Sequence, residues 1–230
     1  MPTALIFGAG SGISAAFARA LHGKGYKIAL AARNAERLEG LAREVGGVTL
    51  AADAADAGSV ADAFTRADTM LGPLDVVLYN AAQRVRGPIA DLDPDAVRRA
   101  IEVTAFGGFL VAQQAARRML AKGSGTIMFT GASASVKGFA ESATFAMGKF
   151  ALRGLAQSMA RELHPKGVHV AHFVIDGGVR NAERGRHEAA GAPDSLLDPA
   201  AIAQTYVHVL EQPRSAWSWE VEVRPWTERF

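Results

Sequence analysis

The sequence predicts a doubly wound α/β fold, a parallel sheet of about seven strands with helices on both faces. Three observations carry that prediction. Short apolar runs alternate with helix-length segments along the whole chain. Runs such as Val76-Val77-Leu78 are apolar on consecutive residues, as a strand covered on both faces must be. The first apolar run also ends in a glycine-rich turn, Gly8-Ala9-Gly10-Ser11-Gly12-Ile13-Ser14, directly before a helical pattern.

In chain order the candidate strands are Thr3–Phe7, Lys27–Ala31, Val48–Ala51, Leu74–Tyr79, Gly125–Thr130, His169–Ile175 and Trp217–Val223. Between them lie helical patterns near Ile13–Gly23, Ala35–Val45, Val60–Met70, Asp95–Ala121, Ser142–Leu163 and Ala200–Leu210. Asn34, Asp93 and Ser142 can each cap a helix start, and Pro94 suits the first helical position. Asp198-Pro199 repeats that pattern before the last helix. Capping also accounts for the cluster Asp91, Asp93 and Asp95, which is therefore not read as a metal site. The last strand alternates, with Trp217, Trp219, Val221 and Val223 on one face and Ser218, Glu220 and Glu222 on the other. That is the pattern of an edge strand with one buried face. No repeat or linker interrupts the chain, so residues 1–230 are expected to form a single nucleotide-binding domain.

Composition narrows the function classes. Of the 230 residues 49% are hydrophobic, enough for a sizeable core. The formal net charge is only +2 and no basic run tracks one face, so no nucleic-acid partner is expected. The absence of cysteine excludes disulfides, thiolate metal sites and a thiol nucleophile. The histidines show no metal-ligand spacing, and His172 reads as core. No apolar stretch reaches the roughly 18 residues of a membrane span, and the first residues lack a signal-peptide pattern. A cytoplasmic protein with no membrane partner is the expectation.

The glycine-rich turn points to a bound phosphate. Glycines let the main chain turn tightly and approach a pyrophosphate, whose charge meets the unpaired N–H groups at the helix start. At the end of the second strand Ala32 is followed by Arg33, with no acid to hold a ribose 2′-hydroxyl. A guanidinium there favours a 2′-phosphate by roughly 1.5–3 kcal/mol, about ten- to a hundredfold in affinity. NADP(H) is therefore expected over NAD(H), unless Arg33 is merely solvated.

The spacing Gly8-x-x-x-Gly12-x-Ser14 and the run Thr144-Phe145-Ala146-Met147-Gly148-Lys149 resemble the short-chain dehydrogenase/reductase family. The likeness extends from Thr3 to about Pro225, and it is greatest to the subgroup with phenylalanine replacing the active-site tyrosine. It implies a Rossmann-type fold and cofactor contacts from Gly8, Gly10, Ser11, Gly12, Ile13, Arg33, Asp53, Asn80, Lys149 and Gly177. Asp53, in Ala52-Asp53-Ala54, resembles the family's adenine-contacting aspartate; the other reading is a surface turn residue. Tyr79-Asn80-Ala81-Ala82 resembles the Asn-Asn-Ala-Gly segment with only the second asparagine kept.

At the chemical end the family divides the work among an asparagine, a serine, a tyrosine and a lysine. Only the lysine carries over, as Lys149. The tyrosine position holds Phe145, the serine position Ala132 and the asparagine position Thr104. Phenylalanine has no proton to give and alanine cannot bind an oxyanion. Positioned general acids contribute about 10²–10⁴-fold and oxyanion donors about 10²–10³. Ser133 beside Ala132, or Tyr79 on the neighbouring strand end, are the candidate substitutes. Asp176 stands where the family has proline, and is expected to put a negative charge near the nicotinamide pocket. The polar segment Arg180–Leu197 reads as a mobile substrate lid. Arg84 and Arg86 either join Arg184 or Arg186 in holding an anionic small-molecule substrate or are solvated loop charges.

Two functions stay open. One is an NADP(H)-dependent oxidoreductase with a degenerate active site, taking its proton from water, Ser133 or the substrate. The other is a non-catalytic NADP(H)-binding sensor or silent subunit. The helix from Ser142 is apolar nearly all round, with Gly148, Ala151, Gly154 and Ser158 permitting close helix approach. By resemblance, a homodimer or homotetramer is implied.

Overall fold

The computed structural model describes residues 1–228, leaving Arg229 and Phe230 aside. Among the described residues a seven-stranded sheet runs in the order β3-β2-β1-β4-β5-β6-β7. Its strands are β1 (Thr3–Phe7), β2 (Lys27–Ala32), β3 (Val48–Ala51), β4 (Val76–Tyr79), β5 (Gly125–Thr130), β6 (Val168–Ile175) and β7 (Glu220–Val223), every neighbour parallel. Strand order reverses between β1 and β4, which opens a crevice at the carboxyl ends of the strands.

Among the described residues seven α-helices cover the sheet: α1 (Ile13–Gly23), α2 (Glu39–Glu44), α3 (Ala57–Leu71), α4 (Pro94–Ile101), α5 (Gly107–Lys122), α6 (Ala143–Leu163) and α7 (Pro199–Leu210). Period-2 alternation sorts each strand between two apolar layers. Leu5 and Phe7 meet α3, α5 and α6, while Ala4 and Ile6 meet α1, α2 and α7. Aromatic pairs anchor both layers. Phe7 stacks on Phe64 at 6.4 Å, and Phe173 on Tyr206 at 3.9 Å. Each fully buried ring contributes roughly 1.5–3 kcal/mol by leaving water.

Asp93 accepts the N–H groups of Asp95 and Ala96, and Asp198 that of Ala200, so both cap their helices. Asn34 accepts the N–H of Arg37 at 3.4 Å. Ser142 occupies the cap position of α6 but makes no capping bond. Asp56, unremarked in the sequence, caps α3 through Ser59.

Two expectations need correction. The long pattern Asp95–Ala121 is interrupted by a π-helical turn, Glu102–Phe106, between α4 and α5. There the Thr104 hydroxyl holds the Gln83 backbone, accepting its N–H at 3.1 Å, and pulls the turn toward the β4 loop. The last strand starts at Glu220 rather than Trp217. Trp217 stacks on His169 at 4.6 Å and donates to the Gln212 carbonyl, which draws it out of the ladder. Trp219 packs in the α3/α5/α6 layer while Val221 and Val223 pack in the other, so the expected single face is split. Gly148 faces inward: a Cβ there would crowd Thr104 at 2.9 Å. Met147 and Phe150, on the outer face of α6, are exposed in the single chain.

Candidate functional site

A cavity of about 570 Å³ opens over the strand crossover. Gly8 to Ile13, Arg33, Asp53, Asn80, Ala132, Phe145, Lys149 and Gly177 all line it. These are most of the site residues expected from the sequence. Thr104 and Ser133 do not line it.

The turn after β1 is built for a close-lying ligand. Gly8 adopts φ +78°, and a Cβ there would overlap the Ala81 backbone, so only glycine fits. Beside Gly10 there is open space. Ser14, in the third glycine's place, accepts from Asn80 Nδ2 at 2.6 Å and reaches the Gly8 carbonyl at 3.3 Å. This buried link ties helix start, turn and β4 loop together. No side chain caps α1, which leaves its first amides available to an anion. A pyrophosphate fits that cradle.

At one side Arg33 makes no ion pair among the described residues. Asp53 serves a turn and the cavity at once. Its Oδ1 accepts the Ala55 N–H at 3.0 Å, and its own N–H donates to Ser59 Oγ at 2.9 Å.

At the other end Lys149 is buried at 3% exposure and donates to the Thr130 carbonyl at 2.6 Å. Burial, with Arg84 nearby, pushes its pKa down to about 7. Two further N–H donors remain for a ligand hydroxyl. Phe145 is nearly buried and presents its ring face to the Arg84 guanidinium at 3.8 Å. Neither Phe145 nor Ala132 brings a hydroxyl to this end.

The expected substitutes are placed elsewhere. Tyr79 is fully buried and donates to the Val103 carbonyl, with burial pushing its pKa up, so it is core packing and no replacement phenol. Ser133 opens a 3-10 turn, Ser133–Ser135. Thr104 spends its hydroxyl on Gln83. Asp176 is not the free charge expected, because its carboxylate pairs with Arg224 at 3.3 Å and Lys137 at 3.4 Å.

One buried chain escaped sequence reading. Ser135 accepts the Ala132 N–H at 3.1 Å and meets His172 Nε2 at 3.3 Å, while His172 Nδ1 meets Glu220 at 3.1 Å. Burial holds the imidazole neutral, its pKa pushed down to about 4 despite the raising pull of Glu220. With Nδ1–H given to Glu220, Nε2 is left to accept the Ser135 hydroxyl. Arg153 closes the chain on Glu220 with two bonds of 2.6 and 2.7 Å. Only the serine-rich run after β5 hinted at it.

The segment after β6 folds back over the cavity. Val179 pairs with Leu197, Arg180 bridges Asp198 at 2.7 Å, and Asn181 exchanges hydrogen bonds with Ser11 at 3.3 and 3.4 Å. Arg184 and Arg186 thereby line the cavity alongside Arg84; Arg86 does not.

Residues 2–185 match the family pattern described as short chain dehydrogenase. An uncharacterised oxidoreductase of Staphylococcus aureus strain N315 is 30% identical over 228 residues, covering 96% of each chain. A crystal structure of a short-chain dehydrogenase from Rhodopseudomonas palustris shares 37% identity at a TM-score of 0.83, over 98% of this chain and 99% of that one. An alcohol dehydrogenase from the archaeon Thermococcus sibiricus, complexed with 5-hydroxy-NADP, aligns at a TM-score of 0.89 with 26% identity, over 100% and 98%. With the parallel sheet, the glycine turn and the buried lysine in place, this agreement along nearly the full length means that the chain belongs to the short-chain dehydrogenase family of oxidoreductases.

Proposed function

We propose that the chain is an NADP(H)-dependent oxidoreductase of the subgroup with phenylalanine at the tyrosine position, its whole length forming one nucleotide-binding domain. One observation carries the reading: the phosphate turn, Arg33 and Lys149 line a single cavity. The coenzyme complexed with the Thermococcus sibiricus relative supports it. Gly8 to Ile13 would hold the pyrophosphate, Arg33 the 2′-phosphate, Asp53 the adenine side, and Asn80, Lys149 and Gly177 the nicotinamide riboside.

Bound NADPH supplies a hydride to an electrophilic carbon of a small-molecule substrate. The protein's part is to position that carbon and exclude water from the hydride's path. Phe145 and Ala132 give the substrate a dry wall and no proton. The proton therefore comes from water, which suits reduction of a polarised C=C bond, where hydride and proton go to different carbons. Ser133 and Thr104 act by shaping the backbone around this wall.

A second reading, a non-catalytic NADP(H) sensor or silent subunit, is favoured by the same missing hydroxyls. NADPH and NADH are titrated into the protein, and coenzyme oxidation is then followed with a panel of carbonyl and enoyl compounds. Tighter NADPH binding with enoyl turnover is the expected result. NADPH binding without turnover on any compound selects the sensor, and no binding of either coenzyme ends both readings. Exposed Phe106, Phe109, Met147 and Phe150 on α5, α6 and the π turn support a homodimer or homotetramer, which we propose to be cytoplasmic.

A further inference from the structure

We infer that Arg84 holds the substrate, and that the substrate is a small carboxylic acid bearing the reducible carbonyl or enoyl group. The inference rests on the coenzyme reading above and adds the substrate's chemical class.

Position comes first. Arg84 follows β4 on the Asn80 loop, and its guanidinium covers the Phe145 ring at 3.8 Å, where the family's tyrosine would stand. Lys149 Nζ lies 5.9 Å from the same ring centre. Two cations thus flank one apolar ring at the reacting end of the cavity.

Satisfaction comes second. Arg84 is exposed and lines the cavity, and among the described residues it stacks on Phe145 without entering a hydrogen bond or ion pair. A guanidinium carries five N–H donors and cannot shed its charge, so a ligand that covers it must supply acceptors. Partial desolvation and then Arg186, Arg86 and Arg184 push its pKa down, so like charge crowds this end of the cavity. Among the described residues Asp53 is the one acidic residue in the cavity lining, and it stands at the far, β3 end. A site so arranged takes an anion.

The nature of the anion follows from geometry. Stacking on Phe145 occupies the guanidinium's face and leaves its N–H edge, a fork that fits a carboxylate with two parallel bonds. Arg33 stands beside β2, and the strap carrying Arg184 and Arg186 is tied to Ser11 through Asn181, so those three serve the coenzyme's phosphates. Arg84 alone sits on the wall where the reacting carbon must lie.

The test uses oxamate, a carboxylate that accepts no hydride, and neutral oxamide, titrated calorimetrically into NADPH-saturated protein. Oxamate is expected to bind and oxamide not. Arg84→Met should weaken oxamate about ten- to a hundredfold while changing NADPH affinity less than about threefold, with Arg84→Lys between the two. The Lys149 pKa, followed by NMR, should rise in Arg84→Met and on oxamate binding. Equal oxamate binding by wild type and Arg84→Met overturns the inference, as does no oxamate binding to loaded protein. If Arg84→Met instead loses NADPH tenfold, the arginine belongs to the coenzyme; the inference fails and the coenzyme reading stands. Should wild type take no NADPH, the coenzyme reading fails separately. Oxamate binding to coenzyme-free protein, lost in Arg84→Met, would then still support Arg84, and binding by neither protein would sink it.

Discussion

The two ends of the cavity are made of different material. At the end proposed to take the phosphates the groups on offer are main-chain amides, set by Gly8 at φ +78° and by the uncapped start of α1. At the chemical end they are side chains: Lys149 beneath Thr130, Phe145 under Arg84, and Ala132 held by Ser135. Backbone geometry tolerates substitution at most positions, so Ser14 can replace a glycine and still link Asn80 to the turn. Side-chain chemistry has no such tolerance. On the proposed reading, Phe145 lacks the proton donor that a tyrosine would bring, while its ring can pack as a tyrosine's would.

The sharpest way to break that contrast is to restore the chemical end. Phe145→Tyr with Ala132→Ser should raise NADPH-dependent carbonyl reduction by about 10²–10⁴-fold. No gain in an NADPH-binding double variant would mean that Arg84 or the neighbouring backbone, and not the hydroxyls, sets the chemistry.

Next in size is Lys149, at the chemical end. Its pKa of about 7 in the folded chain lies below the ordinary lysine value of about 10.4. Below both values the folded state bears the full cost of a buried charge. Between them the unfolded chain binds more protons, so stability rises with pH. Coenzyme-free wild type should gain on Lys149→Met by on the order of 3 kcal/mol from pH 7 to 10 in denaturant titrations. A gap that does not change with pH would show that Lys149 is not desolvated.

Arg33→Ala probes the phosphate end. NADPH affinity should fall about ten- to a hundredfold with NADH affinity unchanged, read by fluorescence titration. Equal losses for both coenzymes would remove the 2′-phosphate from the account. The smallest effect lies outside the cavity: Asp93→Ala should cost about 1 kcal/mol of stability and leave coenzyme affinity alone. A change in coenzyme affinity there would mean that α4 and the π turn communicate with the site.

Much of the fold could be read directly. Seven apolar runs corresponded to seven strands, and Asp93 and Asp198 cap where their residue type suggested. What failed did so where a distant partner intervened. Trp217 leaves the ladder for His169, Thr104 in the π turn bonds to Gln83, and Asp176 spends its charge on Arg224 and Lys137. None of these partners is near in sequence, so no local pattern announces them.

By itself the sequence determined whatever one residue or a short period can enforce: the alternation that sorts side chains between two layers, the capped helix starts, and the lone φ that glycine permits at position 8. These are limits imposed by a residue's own sterics and by its nearest neighbours. Tertiary structure alone decided which groups share a cavity. Arg84 meets Phe145, and Ser135 meets His172 and Glu220, only because strand order carries separate loops to one sheet edge. The energy of such encounters depends on burial and on who else is present, and neither is written in any stretch of chain shorter than the fold.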